Sequence, residues 1–330
     1  TSYVKTMQLL AAKGYTTLVD HASTSDVEKA YQAMSDMGQM PLDLVAYHRL
    51  ADPRQPIAPI SRSYNGRYRL GGYKIVLDGS IQGFTGYLSQ PYHSHAPHHE
   101  KDYRGYAHLD ASSFKNLVMR AYAEKASLMV HTNGDAATDL YIDAVRQAQL
   151  AHPNTNIRPV IIHAQTMRED QLDSAAELGM SPSFFVDHVY FWGDRHRDIF
   201  LGPDRAARIS PTASALKRGL IFTLHDDAPI VSADPLRSAW VAVNRLTSSG
   251  KKLGGEQSIS PLEALKALTI HAAYQHFEET TKGSLETGKR ADMIILQSNP
   301  LEIDTVDIKD IHVLETIKDG QTVYKQASGG

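Results

Sequence analysis

Short apolar runs that end in a polar residue recur along this chain, each followed by a turn and usually by a stretch of helical spacing. The runs fall at 15–23, 42–50, 73–79, 127–134, 159–165, 180–189 and 220–227. Brief runs rich in Val, Ile, Leu and Phe read as strands buried on both faces, the pattern of a parallel sheet covered by helices. Between most of them lie helix-like stretches at 26–38, 114–126, 136–152, 168–179 and 211–219. Another opens the chain, where Val4, Met7, Leu10 and Ala11 recur at helical spacing and Gly14 supplies a stop. Strands alternating with helices predict βα units. Seven such strands are counted, one short of a closed (β/α)8 barrel, and the missing one is expected upstream of Thr1.

Two regions depart from the alternation. Residues 80–112 are rich in Gly, Pro, His and Tyr without clear periodicity, so a long loop is expected where barrel enzymes keep their substrate loops. After a helix-like stretch at 260–277, short β-like runs with Gly turns follow and no helix separates them. The expected organisation is a barrel over 1–277 and a small β-element over 278–330.

Composition narrows the partners. With 42% hydrophobic and 22% charged residues the chain is an ordinary globular one, which removes disorder as a reading. A net charge of −3 without a block of like charge excludes a basic nucleic-acid surface. No apolar stretch approaches the roughly 20 residues of a membrane span. The expected partner is a small-molecule substrate, with homo-oligomerisation left open. There are no cysteines, so a metal would have to use His, carboxylate or modified Lys, and neither redox state nor compartment is indicated. The chain begins at Thr1 without Met, and whether the intact protein is cytoplasmic or exported depends on what precedes it.

In a parallel barrel the C-terminal strand ends converge on one spot. Lys74, His131, His163 and Asp227 lie at or near such ends, in LGGYKIVLDGS, SLMVHTNGD, RPVIIHAQT and GLIFTLHDDAP. These four scattered residues therefore form one candidate metal site. The bland alternatives are a hydrogen-bonded structural His, an ion-paired Lys and an Asp that caps its turn. Lys74 lies within the apolar run from Tyr73 to Leu77, where an unpaired charge is costly.

The same motifs, together with KGSLETGKRADMIIL near the C-terminus, resemble the amidohydrolase superfamily of metal-dependent hydrolases. The similarity is to the branch loosely called YtcJ-like, which includes N-substituted formamide deformylases, and it covers nearly the whole chain in motif order. It implies a barrel of the metal-dependent hydrolase type. It further implies that Lys74 is N-carboxylated by CO2 and bridges two metals, that His131 and His163 are ligands, and that Asp227 is both ligand and proton shuttle. Neutral imidazole and carboxylate suit zinc and related divalent ions, and such an ion lowers the pKa of bound water to about 7. The expected reaction is hydrolysis of an amide or N-formyl C–N bond.

The resemblance also implies a strand-one His-x-His and an N-terminal half of the small β-domain, neither of which this chain contains. A piece of a longer enzyme is therefore expected, the alternatives being a catalytically incomplete homologue or a barrel hydrolase acting on a non-amide substrate. Gln82, Gln165, His188, Tyr190 and Trp192 are the expected substrate contacts. His225 shares strand parity with Asp227 and is placed behind the ligands. His21 and His48 are assigned to packing or substrate contact. His93 and His95 imitate a His-x-His but sit in a Pro-containing loop with no strand to align them.

Overall fold

The computed structural model describes residues 2–94, 96, 97 and 100–327. All seven expected strands are present: β1 Thr17–Ser23, β2 Asp43–Arg49, β3 Tyr68–Val76, β4 Ser127–Thr132, β5 Val160–His163, β6 Ser181–Phe184 and β7 Thr223–Leu224. They form one parallel sheet in chain order. β1 and β7 are its two edges and do not pair with each other, so among the described residues the sheet is seven-stranded and open between them. The sheet nevertheless curls. His21 from β1 and His225 beyond β7 bring their rings to 6.2 Å, Tyr15 donates to the Asp226 carboxylate, and Lys13 pairs with Asp234 at 2.8 Å.

The strands send alternate residues to an inner and an outer side, and on the outer side Leu44, Ala46, Tyr68 and Leu70 form their own cluster with Met7, Ala11, Tyr31 and Met34 of the first two helices. Tyr73, Ile75, Leu128, Val130, Ile161, Phe184 and Phe222 face outward, where Phe114, Val118, Tyr141, Val145 and Leu172 of the surrounding helices cover them. Val45, Tyr47, Met129, Val160 and Ile162 face inward and fill the middle of the curl. Burial on both faces is why these strands read as continuous apolar runs.

The structure corrects the expected boundaries in three places. β3 starts at Tyr68, five residues before the run that announced it, because Arg69, Gly71 and Gly72 interrupt its apolar texture. The 180–189 run is a strand only to Phe184; His188–Arg195 is a helix that passes into a π-helical turn, His196–Phe200. The 260–277 stretch breaks at Thr269 into helices Pro261–Leu268 and Ile270–Gln275. A further helix, Pro235–Asn244, begins with Asp234 as its cap and Pro at its first turn, a start signal legible in the sequence.

The long loop is held in place. Leu88 and Tyr92 donate from their backbones to Arg104 and Tyr103, His108 donates to Leu77 at the end of β3, and Phe84 rests 5.0 Å from the rings of both Tyr92 and Phe200.

Strands β8 Met293–Leu296, β9 Val313–Lys318 and β10 Gln321–Lys325 form a separate antiparallel sheet. A buried ion network joins it to the N-terminal ends of the barrel strands. Lys318 pairs with Asp43 at 2.8 Å and with Asp292 at 2.7 Å; Lys282 pairs with Asp43 at 2.6 Å and with Glu278 at 3.0 Å; Glu278 also takes Arg69 at 3.1 Å. Among the described residues no helix is long and apolar enough to cross a membrane.

Candidate metal centre

Lys74, His131, His163 and Asp227 come to the same end of the curled sheet, opposite that ion network, each by its own route. Lys74 lies on β3 between the outward-facing Tyr73 and Ile75, so alternation turns it inward. It is 4% exposed and makes no hydrogen bond or close ion pair with the described residues. Burial pushes its ammonium pKa down to about 7, against the opposing pull of the Asp227 and Asp78 carboxylates. His131 shares its face with inward-facing Met129 on β4.

His163 arrives differently. Alternation on β5 would put it beside Ile161 on the outer face, because Val160 and Ile162 point inward. Instead His163 and Ala164 take φ values of 73° and 49°, and the backbone turns the imidazole in. Its ring lies 4.4 Å from that of His131 and 5.1 Å from that of His225. Asp227 also has a positive φ, 55°, and its carboxyl pKa is raised by burial despite the opposing charges of His131 and Lys74. Left-handed backbone at non-glycine residues is uncommon, and such conformations cluster at functional sites.

One ligand atom from each of His163, His225 and Asp227 can lie within 4.8 Å of the others. His225, expected from the sequence to stand behind the ligands, thus lies in the compact group whose atoms could hold an ion. Its Nδ1 is 2.9 Å from the Ser183 hydroxyl and its Nε2 is buried without a partner. His163 Nδ1 is likewise buried and unpartnered. Burial, reinforced by Lys74 and the neighbouring imidazoles, lowers both pKa values, His225 to about 3, so both rings are neutral and carry a lone pair at ordinary pH.

His131 and Lys74 stand beside this trio. His131 Nδ1 lies 3.0 Å from Asp78 Oδ1, which leaves Nε2 facing away from the carboxylate. Asp78, fully buried, also accepts from the backbone N–H groups of Tyr87, Asn133 and Gly134. Sequence reasoning missed it, although it closes the KIVLD run four residues after Lys74 and shares that residue's parity.

The expected substrate residues separate. Gln165 and His188 are buried behind His163; Gln165 Nε2 meets His196 Nε2 at 3.0 Å, while Gln165 Oε1 and the Nδ1 atoms of His188 and His196 lack partners. The His188 and His163 rings are 6.1 Å apart, and Trp192 leans on His188 at 5.3 Å. Gln82 sits in the short turn Ile81–Gly83, with Oε1 buried and unpartnered. Tyr190 does not join them: one residue from Phe191 on a helix rather than a strand end, it packs on Trp240 in the outer layer, centroid distance 5.7 Å.

His196 was not singled out from the sequence, because nothing announces that the helix beyond β6 loops back over the strand ends. His21 faces the interior near His225, whereas His48 turns outward to Glu28 at 2.7 Å. His93 is exposed next to Gly202. His95 lies outside the described residues.

Residues 2–324 match the Amidohydro_3 model, described as an amidohydrolase family. Over 309 residues the chain is 26% identical to YtcJ of Bacillus subtilis (strain 168), named as an amidohydrolase, covering 91% of this chain and 55% of that protein. It is 27% identical over 216 residues to an N-substituted formamide deformylase of Arthrobacter pascens, covering 65% of this chain and 40% of that enzyme. The chain thus spans about half the length of these relatives. Its fold is shared with an uncharacterized metal-dependent hydrolase from Pyrococcus furiosus, with a TM-score of 0.75 at 24% identity over 91% of this chain and 60% of that one. A Pyrococcus horikoshii hydrolase of the same description gives 0.76 at 22% identity, over 92% of this chain and 60% of that one.

Proposed function

The chain belongs to the amidohydrolase family, and we propose that it carries the catalytic centre of a metal-dependent hydrolase cleaving an amide or N-formyl C–N bond in a small organic substrate. The observation that supports this most is the trio of buried His163 and half-buried His225 and Asp227, whose ligand atoms lie within 4.8 Å of one another beside Lys74 and His131. The donor set fits a divalent ion. Both trio imidazoles are neutral with an unpartnered nitrogen, and the carboxylate has no hydrogen-bond donor of its own among the described residues.

Zinc suits such a mixture of imidazole and carboxylate, and when bound it supplies a Lewis acid and lowers the pKa of water. The residues around it have separate tasks. With Ser183 at its Nδ1, His225 would hold such an ion through Nε2, and with Asp78 at its Nδ1, His131 would also do so through Nε2, the carboxylate–histidine arrangement that raises ligand basicity. Lys74, held partly neutral by burial, can add CO2 through Nζ and lose a proton, giving a carbamate whose two oxygens join the ligand set. Asp227 takes a proton from the attacking water and returns it to the departing nitrogen. Trp192 contributes to the substrate wall on one side, backed by the buried His188 and Gln165, and Gln82 contributes from the loop after β3. The amide preference draws on the relative named as a formamide deformylase.

The test is a pair of variants in the natural protein, assayed on N-formyl and N-acyl amines with metal content measured by elemental analysis. Asp227→Asn should keep most of its metal and lose hydrolysis by about 10³-fold, since an amide oxygen still coordinates but accepts no proton. His163→Ala should lose metal and activity together. Near-parental turnover by Asp227→Asn with unchanged metal would refute the shuttle role, and no turnover of any C–N substrate by the metal-loaded parent would refute the reaction class.

A further inference from the structure

A second cleft lies beside the strand ends, between the long loop, the starts of helices Asp135–Ala151 and Glu169–Glu177, and helix Pro203–Ala207. Its cavity volume is about 70 Å³, and none of the metal-centre residues lines it. Three guanidinium groups, Arg168, Arg205 and Arg208, meet one carboxylate there, Asp135.

That carboxylate is already committed. Asp135 accepts from the Ser89 backbone N–H at 2.8 Å, from the Ser89 hydroxyl and from Arg168 at 3.2 Å; Arg168 in turn also grips Asp139 at 2.8 Å and Asp170 at 2.9 Å. Neither Arg205 nor Arg208 makes a direct ion pair with the described residues, although the Asp135 charge reaches Arg205. Arg205 is pinned by carbonyls, with Nε to Leu201 at 2.8 Å, Nη2 to Pro91 at 2.8 Å and Nη1 to Gln90 at 3.4 Å. Carbonyl oxygens occupy its donors without cancelling its charge, and burial lowers its pKa despite the pull of the Asp135 carboxylate. Arg208 is half-buried, and its guanidinium makes no hydrogen bond or ion pair with the described residues. Here one rigid and one free guanidinium share the wall of an open cleft. Two half-buried cations beside one carboxylate that is already committed are costly unless an anion completes them.

We propose that this cleft binds a compact oxyanion, the phosphate or carboxylate group of a small molecule, with Arg208 closing on the anion and Arg205 supplying a fixed second charge. Planar guanidinium donors match both groups in bidentate geometry. The Gln90 carboxamide, at the rim, is available to a polar substituent on the same ligand.

The experiment titrates the chelator-treated protein with inorganic phosphate and, separately, with succinate, by calorimetry at low ionic strength; chelation removes any metal that could hold the anion. Saturable one-to-one binding of at least one probe is expected, and the tighter probe identifies the source of the oxyanion. Arg208→Ala should weaken binding at least about tenfold, the loss of a charge-assisted hydrogen-bonded pair. Arg54→Ala, in an exposed ion pair away from the cleft, should leave it unchanged. Arg208 makes no side-chain hydrogen bond or ion pair with the described residues, so the variant should unfold near the parental temperature. Absence of saturable binding of both probes, or equal affinity in Arg208→Ala and parent, would overturn the assignment.

Discussion

Lys74 and Asp78 acquire their roles from what surrounds them rather than from what they are. An exposed lysine would hold its proton to far higher pH; here burial brings the pKa to about 7, so the amine becomes a nucleophile within the ordinary pH range. With ¹³C-bicarbonate at pH 8.5 the protein should show a carbamate carbon by NMR that is absent at pH 6 and absent in Lys74→Arg. A signal of equal size at both pH values would place the modification elsewhere. Asp78 collects three backbone N–H groups and the His131 ring at one buried carboxylate. Asp78→Asn puts a donor where acceptors are needed, so urea unfolding should report a loss of about 2 kcal/mol. Metal titration should show an affinity about 10- to 100-fold weaker. Parental values in both would mean that the His131 tautomer is set by another group.

Longer segments show how the site is assembled from pieces that are locally unremarkable. The turn after β4 places Gly134 against the long loop, where an added Cβ would fall 1.8 Å from the Tyr87 carbonyl oxygen and 2.3 Å from its carbon. Both atoms are backbone, so neither can swing aside. Gly134→Ala should therefore cost about 3 kcal/mol of stability through overpacking, with faster proteolysis of the 80–110 loop as its local sign. A parental unfolding midpoint would show that the loop is not seated on this turn. The helix His188–Arg195 and its π-helical extension bring His188 and His196 over His163, whereas Tyr190, two residues on from His188, faces Trp240. π-helical turns are rare and recur at functional sites. No apolar periodicity announces this one, because its inward residues are polar.

Taken together, the buried histidines make the fold itself pH-sensitive. His196, His225 and His276 each have a pKa lowered from 6.5 to about 3, chiefly by burial. Between those values the unfolded chain binds more protons than the folded one, so this stability is present above pH 6.5 and is lost as the pH falls. Lys74, lowered from 10.5 to about 7, acts in the same sense at higher pH, where stability rises from pH 7 towards 10.5. Metal-free protein should thus lose up to about 5 kcal/mol between pH 6.5 and 5, the three histidines each contributing at most 1.36 kcal/mol per pH unit. Urea unfolding at the two pH values, followed by Trp fluorescence, measures it. A flat profile would require that the rings gain proton-stabilising partners on folding.

Much of this molecule is written locally. Seven apolar runs of strand length, separated by helical spacing, specify the strand order, because residues that must be buried on both faces have only a parallel sheet under helices to enter. The turning-in of Lys74 and His131 follows from the alternation of strand side chains, and the family motifs name His163 and Asp227. The tertiary structure decided the rest. His163 reaches the centre through a positive φ that alternation alone contradicts; His225 joins the candidate ligand group, with Ser183 on a neighbouring strand at its Nδ1 and its Nε2 unpartnered; and Asp78 becomes a hub because a loop and a strand end donate to it from elsewhere in the chain. Each depends on atoms dozens of residues apart meeting within a few ångströms, and a linear pattern carries the period of a strand but not the neighbours that a folded chain brings to its end.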